Sequence, residues 1–349
     1  MRIEQDIKLD YQDVLFKPKR STLTSRKDVD LTRTFKFYNS GKEWTGIPIM
    51  SSNMDGVGTF AMAKVLQEQK MITVLRKHYT LDDWKVAIGD GVKMKYLSVC
   101  TGTGVIWDKD ALDYNTMKKV LEKYPDVPFI CVDVANGYHE NYGDFIEKLR
   151  YEYQDKTIIA GNVITAEMTE ELILRGADIV KCGIGPGSVC TTRLMTGVGV
   201  PQLSGIIECA DAANGVGGHI IADGGCVYPG DVAKAFGAGA HFVMLGGMLA
   251  GHDEAEGEVV NGKVQFYGMS SNAAMSKHGS RKDGYRGAEG KVVELPHKGP
   301  VRDTVTEILG GVRSAATYIG AKRIKDMPKC TTFVRVNNVV NQVYKSFEA

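Results

Sequence analysis

The sequence of 349 residues has no excess of charge of either sign, since its 43 lysine and arginine residues almost equal its 42 aspartate and glutamate residues. A balanced surface offers no field that would attract a polyanion, so we expect no nucleic-acid partner. The chain also lacks the apolar core of a signal peptide near its start and any apolar run long enough to span a bilayer. These absences predict a cytoplasmic protein with no membrane partner.

Zinc-binding cysteine patterns are missing as well. The seven cysteines are an odd number, and no two of them form a CxxC pair or stand at the spacing of zinc ligands. We therefore expect reduced thiols and no structural zinc site. For Cys100, Cys131 and Cys209, which lie inside strand or helix patterns, a small buried hydrophobic side chain is the preferred interpretation.

Short β-rich apolar runs alternate with amphipathic stretches along the chain. The apolar runs occupy residues 47–52, 71–75, 96–100, 129–133, 157–160, 178–182, 219–223 and 241–245. Helical patterns lie between them, for example at residues 61–69, 117–124, 145–151, 167–174 and 231–236. Eight such repeats predict an α/β fold, a TIM (β/α)8 barrel, in a single domain over residues 1–349. An open doubly wound sheet is the alternative.

Two regions depart from the repeat. Residues 1–46 precede the first predicted strand and form an N-terminal extension. Residues 252–300 follow the eighth strand and contain two strand-like pieces around Asn261-Gly262, a dipeptide that favours type I′ hairpins. We expect a β-finger over the barrel mouth, followed by a mobile loop at residues 275–291, because that stretch is polar and dotted with glycine.

Glycine is abundant, with 40 residues, and it clusters after residue 180. The predicted seventh strand ends in Asp223-Gly224-Gly225, and Gly246-Gly247-Met248 follows the eighth. In TIM barrels the loops after these two strands commonly bind phosphate, and glycine leaves the backbone N–H groups unobstructed. The two clusters together predict a phosphate site. Tight turns without a ligand are the alternative.

The loop after the sixth predicted strand holds three glycines and a proline in residues 183–187 and continues to Cys190. A thiol becomes reactive where exposure, N–H dipoles or a nearby positive charge favour the thiolate, and Arg193 follows closely. A buried hydrophobic role is the alternative, as for most free cysteines. The position of Cys190 at a barrel mouth among glycines favours a covalent nucleophile.

This loop also carries a family resemblance. Residues 181–193, Lys-Cys-Gly-Ile-Gly-Pro-Gly-Ser-Val-Cys-Thr-Thr-Arg, resemble the signature of the IMP dehydrogenase and GMP reductase family, and the likeness extends over nearly the whole chain. Further matches are Asp13-Val-Leu, Asn53-Met-Asp55, Asp133-Val-Ala-Asn-Gly137, Gly161-Asn162, Thr196-Gly-Val-Gly199, Pro201-Gln202, Asp223-Gly-Gly225, Leu245-Gly-Gly-Met248, Tyr267-Gly-Met-Ser-Ser271 and Tyr285-Arg286. The chain departs from the family pattern at Gly56, Arg76 and Cys182.

Two features favour the reductase branch of this family. Dehydrogenases usually carry a regulatory CBS pair after the second strand, and residues 76–95 leave no room for such a domain here. The segment 285–291 places Glu289 where dehydrogenases tend to have glutamine. Three alternatives stay open: a dehydrogenase without the insert, a non-catalytic purine-nucleotide sensor, and a generic phosphate-binding barrel such as an aldolase, for which only Lys181 stands near a strand end.

For the reductase branch, the resemblance implies NADPH-dependent conversion of GMP to IMP with release of ammonia. Cys190 would attack C2 of the guanine ring and give a covalent thioimidate. Thr192 and Glu289 would form a relay that protonates the departing amino group, and hydride from NADPH would then reduce C2. The implied partners are GMP, IMP and further copies of the chain in a homotetramer.

The resemblance also implies the residues that bind each ligand. The purine nucleotide would contact Asp223, Gly224, Gly225, Gly246, Gly247, Gly268, Met269, Ser270, Arg286, Gly287, Ala288 and Gly290. NADPH would contact Lys77, Asp133, Val134, Ala135, Ile184, Gly185, Met269, Tyr285 and Arg286, together with Ser25, Arg26, Ser314, Ala315, Ala316 and Thr317 of a neighbouring subunit. A monovalent cation, K⁺, would lie at Gly185, Gly187, Cys190 and Arg193, because carbonyl oxygens without carboxylates suit a weakly hydrated ion.

Overall fold

The computed structural model describes residues 1–103, 112–278 and 287–337. The strands in chain order are β1 (Val14–Phe16), β2 (Arg33–Lys36), β3 (Glu43–Gly46), β4 (Ile49–Ser51), β5 (Ile72–Val74), β6 (Leu97–Thr101), β7 (Phe129–Asp133), β8 (Thr157–Val163), β9 (Ile179–Cys182), β10 (His219–Asp223), β11 (Phe242–Leu245), β12 (Val259–Val260), β13 (Lys263–Tyr267), β14 (Val292–Pro296) and β15 (Phe333–Arg335).

The α-helices lie mainly between the barrel strands. In chain order they are α1 (Phe60–Leu66), α2 (Leu81–Gly89), α3 (Leu112–Lys123), α4 (Glu140–Glu152), α5 (Ala166–Leu174), α6 (Thr192–Thr196), α7 (Gln202–Gly215), α8 (Pro229–Gly237), α9 (Asn272–Lys277), α10 (Val301–Ile319) and α11 (Met327–Cys330). Among the helices within the described ranges, none combines the length and the apolar character of a membrane span.

Strands β4 to β11 close into a barrel of parallel neighbours, in which β11 pairs with β4. Every residue of β4, β5, β9 and β11 is buried, because the outer helices cover strands whose other face fills the barrel. These strands correspond to the eight predicted runs, so the TIM barrel is confirmed and the open sheet is wrong. Between β5 and β6 lie only α2 and a single 3-10 turn, Met94–Tyr96.

A hairpin of β2 and β3 closes the amino-terminal end of the barrel. Phe35, Phe37 and Trp44 of this segment pack against Phe129 and Phe242, which begin β7 and β11. The rings of Phe35 and Phe242 stack with their centroids 4.2 Å apart. The last part of the predicted N-terminal extension, residues 33–46, therefore forms the apolar floor of the barrel together with Phe129 and Phe242, and we call the five aromatic residues the floor cluster.

The barrel interior changes from apolar to charged toward the carboxyl ends of the strands. Side chains two residues apart on a strand face the same side. On β9, Ile179 belongs to the apolar interior and Lys181 is the next residue on that face; on β10, Ile221 is followed in the same way by Asp223. Asp133 is the last residue of β7 on the matching face. The mouth of the barrel therefore carries buried charge directly above an apolar core.

The predicted β-finger is present, with one strand more than the sequence pattern indicates. Strands β12 and β13 form a hairpin, and β14 pairs with β13 as a third strand. Asn261 and Gly262 have φ values of 51° and 74°, as a type I′ turn requires. Helix α9, with Ser271 as its N-cap, begins before the predicted mobile loop and extends into it as far as Lys277. Residues 279–286 of that loop lie outside the described residues.

Candidate active site

The loop that carries Cys190 lies between β9 and the short helix α6, at the carboxyl ends of the barrel strands. It turns tightly, so that the Cys190 N–H donates to the Gly187 carbonyl at 3.0 Å. The following backbone pairs with the end of the mouth segment, where the Thr191 N–H donates to the Glu289 carbonyl at 2.8 Å. Backbone pairing thus fixes Glu289 beside the cysteine loop.

The three residues predicted to be catalytic form one chain of hydrogen bonds. The half-buried Cys190 thiol donates to Thr192 Oγ1 at 3.2 Å, and the Thr192 hydroxyl donates to Glu289 Oε2 at 2.7 Å. A thiol, a hydroxyl and a carboxylate in series can pass a proton in either direction. The structure therefore brings the predicted nucleophile and the predicted relay into direct contact.

Arg193 pairs with a carboxylate, whereas the sequence suggests that its charge acts on the Cys190 thiol. Its guanidinium lies 2.9 Å from the Asp10 carboxylate, 183 residues away in sequence, and also donates to the Val200 carbonyl at 2.8 Å. Asp10 therefore compensates the charge of Arg193. The expectation that this charge acts on the Cys190 thiol is not supported by these contacts.

The predicted phosphate-binding turns meet the cysteine loop. Gly224 and Gly225 both have φ near +90°, at 90° and 83°, a conformation that favours glycine. A Cβ on Gly224 would lie 2.9 Å from Pro186 Cγ, and a Cβ on Gly247 would lie 2.9 Å from Ser188 Oγ. The three loops can approach one another only without these side chains. The Ser188 hydroxyl also lies at these turns. Ser188 is not among the predicted site residues, and the one sequence feature that points to it is its place in a glycine-rich loop.

A buried lysine links the two predicted carboxylates at the mouth. Lys181, only 4% exposed, donates to Asp133 Oδ1 at 2.7 Å and to Asn162 Oδ1 at 2.8 Å, and its Nζ lies 2.8 Å from Asp223 Oδ2. Burial favours a lower pKa for Lys181, but Asp133 and Asp223 outweigh it and raise the pKa well above its usual value. A lysine held as a cation is a poor nucleophile for a carbonyl, so these contacts do not favour the aldolase alternative.

Asp133 is held in the ionised form. Burial favours a higher pKa for this carboxyl, but Lys181 and Lys77 outweigh burial and hold its pKa well below the usual range. Asn53 Nδ2 donates to Asp133 Oδ2 at 3.0 Å, and Lys77 Nζ donates to the Asp133 carbonyl at 3.0 Å. Two residues predicted to bind the cofactor, Lys77 and Asp133, are thus in contact.

The turn predicted to bind the purine base packs against the end of the mouth segment. The Glu289 N–H donates to the Ser270 carbonyl at 3.1 Å, and a Cβ on Gly268 would lie 3.2 Å from the Gly290 Cα. Met269 Sδ accepts the Asp55 N–H at 3.5 Å. The predicted residues Gly287 and Ala288 directly precede this contact, whereas Arg286 and Tyr285 lie outside the described residues.

Asp55 and two histidines form a second polar cluster at the mouth. Asp55 Oδ2 lies 2.6 Å from His278 Nε2 and accepts the Tyr267 hydroxyl at 2.9 Å, while the rings of His278 and His78 stack 3.8 Å apart. Burial favours a higher pKa for Asp55, but these hydrogen bonds lower it below its ordinary value. Asp55, His78 and His278 are close enough to share a metal ion. The Lys277 ammonium, 3.6 Å from Asp55, already supplies a cation there.

Two of the three departures from the family pattern meet at Glu256. Arg76 forms an ion pair with Glu256 and lies over the ring of Tyr79, and a Cβ on Gly56 would lie 3.2 Å from the Glu256 carbonyl. Both departures therefore belong to one local contact beneath the β-finger. The third, Cys182, is fully buried, and burial together with Cys209 raises its pKa well above the usual value.

The remaining predicted cofactor residues lie in two places. Val134, Ala135, Ile184 and Gly185 follow β7 and β9 at the mouth. Ser25 and Arg26 belong to a turn that packs on helix α10, which carries Ser314, Ala315, Ala316 and Thr317. Arg26 is exposed, whereas Ala316 is fully buried, so the side chain of Ala316 is not available to a ligand.

Comparison with known proteins gives a consistent assignment. The model of the IMP dehydrogenase / GMP reductase domain matches residues 8–342. The chain is 56% identical over 353 residues to the GMP reductase of Klebsiella pneumoniae subsp. pneumoniae, covering 99% of this chain and 100% of the relative. It is 57% identical to the GMP reductase of Aliivibrio salmonicida, covering 99% of each, and 55% identical to that of Escherichia coli O157:H7, covering 99% and 100%.

The family matched is the one that the cysteine-loop signature predicts, and the match covers far more than half of the chain. The relatives are similar over their full length, with no long insertion on either side. The chain belongs to the IMP dehydrogenase / GMP reductase family.

Proposed function

We propose that this protein is an NADPH-dependent GMP reductase, which converts GMP to IMP and ammonia and so interconverts purine nucleotides. The hydrogen-bonded series Cys190–Thr192–Glu289 is the observation that carries the proposal, because it supplies both a nucleophile and a proton path for a leaving amine. Relatives named GMP reductase that are 55–57% identical over the whole chain support it. A dehydrogenase without a regulatory domain would instead need a residue that activates water.

The chain's own residues would carry out the deamination. Cys190 adds its sulfur to C2 of the guanine ring, the C2–N3 π bond opens with its electron pair moving to N3, and the thiol proton passes by way of Thr192 toward Glu289. Since amide ion is a very poor leaving group, the relay returns a proton to the 2-amino group, which departs as ammonia. The C2–N3 double bond is restored, and the purine stays bound to Cys190 as a thioimidate.

The nucleotide would be held by the loops around this thiol. Asp223 would accept hydrogen bonds from the ribose hydroxyls, and the N–H groups of Gly224, Gly225, Gly246 and Gly247 suit the phosphate. The Ser188 hydroxyl is a further donor at the same place. The turn at residues 268–270 and the segment at residues 286–290 would contact the base.

NADPH, when bound, would supply the hydride that reduces C2 before Cys190 leaves and IMP is released. Lys77 and Asp133 suit the nicotinamide side, because they offer an ammonium donor and an ionised acceptor in contact. The exposed Arg26 suits a 2′-phosphate, and in a homotetramer it would be presented to a neighbouring subunit. Backbone carbonyls around Gly185, Gly187, Cys190 and Arg193 offer the oxygen donors that K⁺ prefers.

The decisive assay compares two mixtures. The protein is incubated with GMP and NADPH, and separately with IMP and NAD⁺, while cofactor absorbance and ammonia are followed. We expect NADPH oxidation with one ammonia per turnover in the first mixture only, and higher activity in KCl than in LiCl. Turnover only with IMP and NAD⁺ would indicate the dehydrogenase, and binding of GMP without turnover would indicate a nucleotide sensor.

A further inference from the structure

Lys181 is a buried cation to which the deamination steps above assign no part. It lies on the inner face of β9, one layer above Ile179, and every described contact of its ammonium is with a side chain at the barrel mouth. An ammonium has three N–H donors, and three oxygens lie within 2.8 Å of this one. Its position is therefore fixed by a full set of partners.

The partners of Lys181 come from opposite sides of the proposed site. Asp133, at the end of β7, would face the cofactor, and Asp223, at the end of β10, would face the ribose of the nucleotide. Asn162 strengthens the connection, because its Nδ2 donates to Asp223 Oδ2 at 2.8 Å while its Oδ1 accepts from Lys181. One ammonium thus joins two carboxylates that would bind different ligands.

The two carboxylates depend on Lys181 to different degrees. Asp133 lies near a second cation, Lys77, whose ammonium contacts its backbone carbonyl. Asp223, by contrast, has Lys181 as its one ion-pair partner within the described residues. Without the ammonium between them, the two carboxylates would repel each other, and Asp223 would keep only its hydrogen bond from Asn162 among these side-chain contacts.

We propose that Lys181 is a positioning residue that holds Asp133 and Asp223 in one fixed arrangement, so that nucleotide and cofactor are set at the correct distance from each other. The proposal rests on the proposed reductase function for the identity of the two ligands. Lys181 touches neither reacting atom in this account. It acts through the two carboxylates, and its loss affects both ligands at once.

The test compares Lys181→Met with a matched lysine at the other end of the barrel. Methionine keeps the unbranched apolar stem but removes the ammonium. Lys156, directly before β8, is also buried, at 7% exposure, and the one hydrogen bond of its ammonium within the described residues is to the Pro125 carbonyl. Lys156→Met therefore reports what the loss of a buried lysine does to the fold alone. Calorimetry with GMP and with NADPH, kcat and Tm are measured for each variant.

We expect Lys181→Met to weaken GMP binding about 10-fold and NADPH binding by a smaller factor, because Lys77 remains near Asp133. The variant should also lower kcat about 100-fold, because small displacements of positioning groups have effects of this size. Asp223→Asn should weaken GMP binding alone, and Asp133→Asn should weaken NADPH binding alone. Lys181→Arg should recover part of the affinity for both ligands. If Lys181→Met does not fold, Lys181→Gln, which keeps hydrogen bonding without charge, is expected to show the same double loss.

Two results would overturn the proposal. In the first, the Lys181 variants match Lys156→Met in both affinities and in kcat, which would make Lys181 a purely structural residue. In the second, only one of the two ligands binds more weakly. An inactive wild-type protein would count against the reductase function instead, and the two calorimetric affinities would still decide the role of Lys181.

Discussion

The two ends of the barrel differ in the chemistry of their side chains, which are aromatic at the floor and charged at the mouth. The floor cluster consists of five aromatic residues, all at least 93% buried, that pack ring against ring. The mouth holds the ion pairs of Lys181 with Asp133 and Asp223 and the glycine turns around Cys190. Apolar burial stabilises a fold, whereas buried ion pairs contribute little net stability and cost much when one partner is removed. The floor therefore supports the fold, and the mouth holds the residues of the proposed active site.

The largest effect we expect is at the mouth. Cys190→Ala removes the nucleophile, so kcat for GMP and NADPH should fall on the order of 10⁴-fold or more, with little change in Tm. NADPH oxidation and thermal unfolding measure the two quantities. Cys182→Ala is the matched control, because it removes a fully buried thiol nearby. This variant should have a lower Tm and an unchanged turnover rate. Turnover surviving in Cys190→Ala would end the covalent mechanism.

The floor should show the reverse pattern. Phe242→Ala removes a fully buried ring that stacks on Phe35, so the free energy of unfolding should fall by about 3–5 kcal/mol. The KM values of the folded variant should stay near those of the wild type, because no floor residue contacts the proposed ligands. Urea unfolding and steady-state kinetics test this. A large rise in KM without loss of stability would show that the two ends are not separate in function.

Glu289→Gln should have an intermediate effect. Glutamine keeps the shape of the side chain but cannot take up a proton, so the rate of ammonia release should fall about 100-fold. Rapid-quench measurement of ammonia isolates this step from hydride transfer. The exposed Glu258 on the β-finger provides the control, and Glu258→Gln should release ammonia at the wild-type rate. Equal rates in Glu289→Gln and the wild type would remove Glu289 from the relay.

The smallest effect concerns Asp55, whose side chain is 2% exposed in its pair with His278. Folding lowers the pKa of Asp55, so its carboxylate adds to the free energy of unfolding above the unfolded pKa of about 3.9. This stabilisation is lost as the pH falls through the folded pKa. Asp55→Asn should lower the free energy of unfolding by about 1–2 kcal/mol at pH 6, and this loss should become smaller below about pH 4.

Asp253 provides the comparison for this prediction, because it forms the same type of pair with His297 while its side chain is 51% exposed. Asp253→Asn should lower the free energy of unfolding by under about 0.5 kcal/mol throughout the same pH range, as is usual for an exposed ion pair. Urea unfolding curves between pH 3 and 7 would test both variants. Equal losses at the two positions would mean that burial does not strengthen the Asp55 pair.

The sequence predicts local features of this molecule better than long-range contacts. The eight strands follow from short apolar runs, and the finger turn follows from Asn261-Gly262, since both depend on neighbouring residues. The pairing of Arg193 with Asp10 joins residues 183 positions apart, and no local pattern contains it. Lys181 was visible only as a lysine near a strand end. Its partners become neighbours only when β7, β8, β9 and β10 lie side by side in the barrel.

The contact between Thr192 and Glu289 likewise joins residues that are far apart in sequence. Residue types alone would make Glu289 a solvated loop carboxylate, and the family resemblance was needed to connect it with the cysteine loop. In the structure, backbone pairing between residues 191 and 289 brings the two together. The proposed catalytic arrangement therefore depends on tertiary contacts that composition and periodicity do not encode.

The most direct test of the account is to trap the covalent intermediate. The protein is mixed with GMP and NADP⁺, which cannot donate a hydride, quenched in acid and analysed by peptide fragmentation that separates Cys190 from Cys182. We predict a purine nucleotide adduct, formed with loss of ammonia, on Cys190 of the wild type and none in Cys190→Ala. An adduct on Cys182, or turnover of GMP and NADPH without any adduct, would contradict the account.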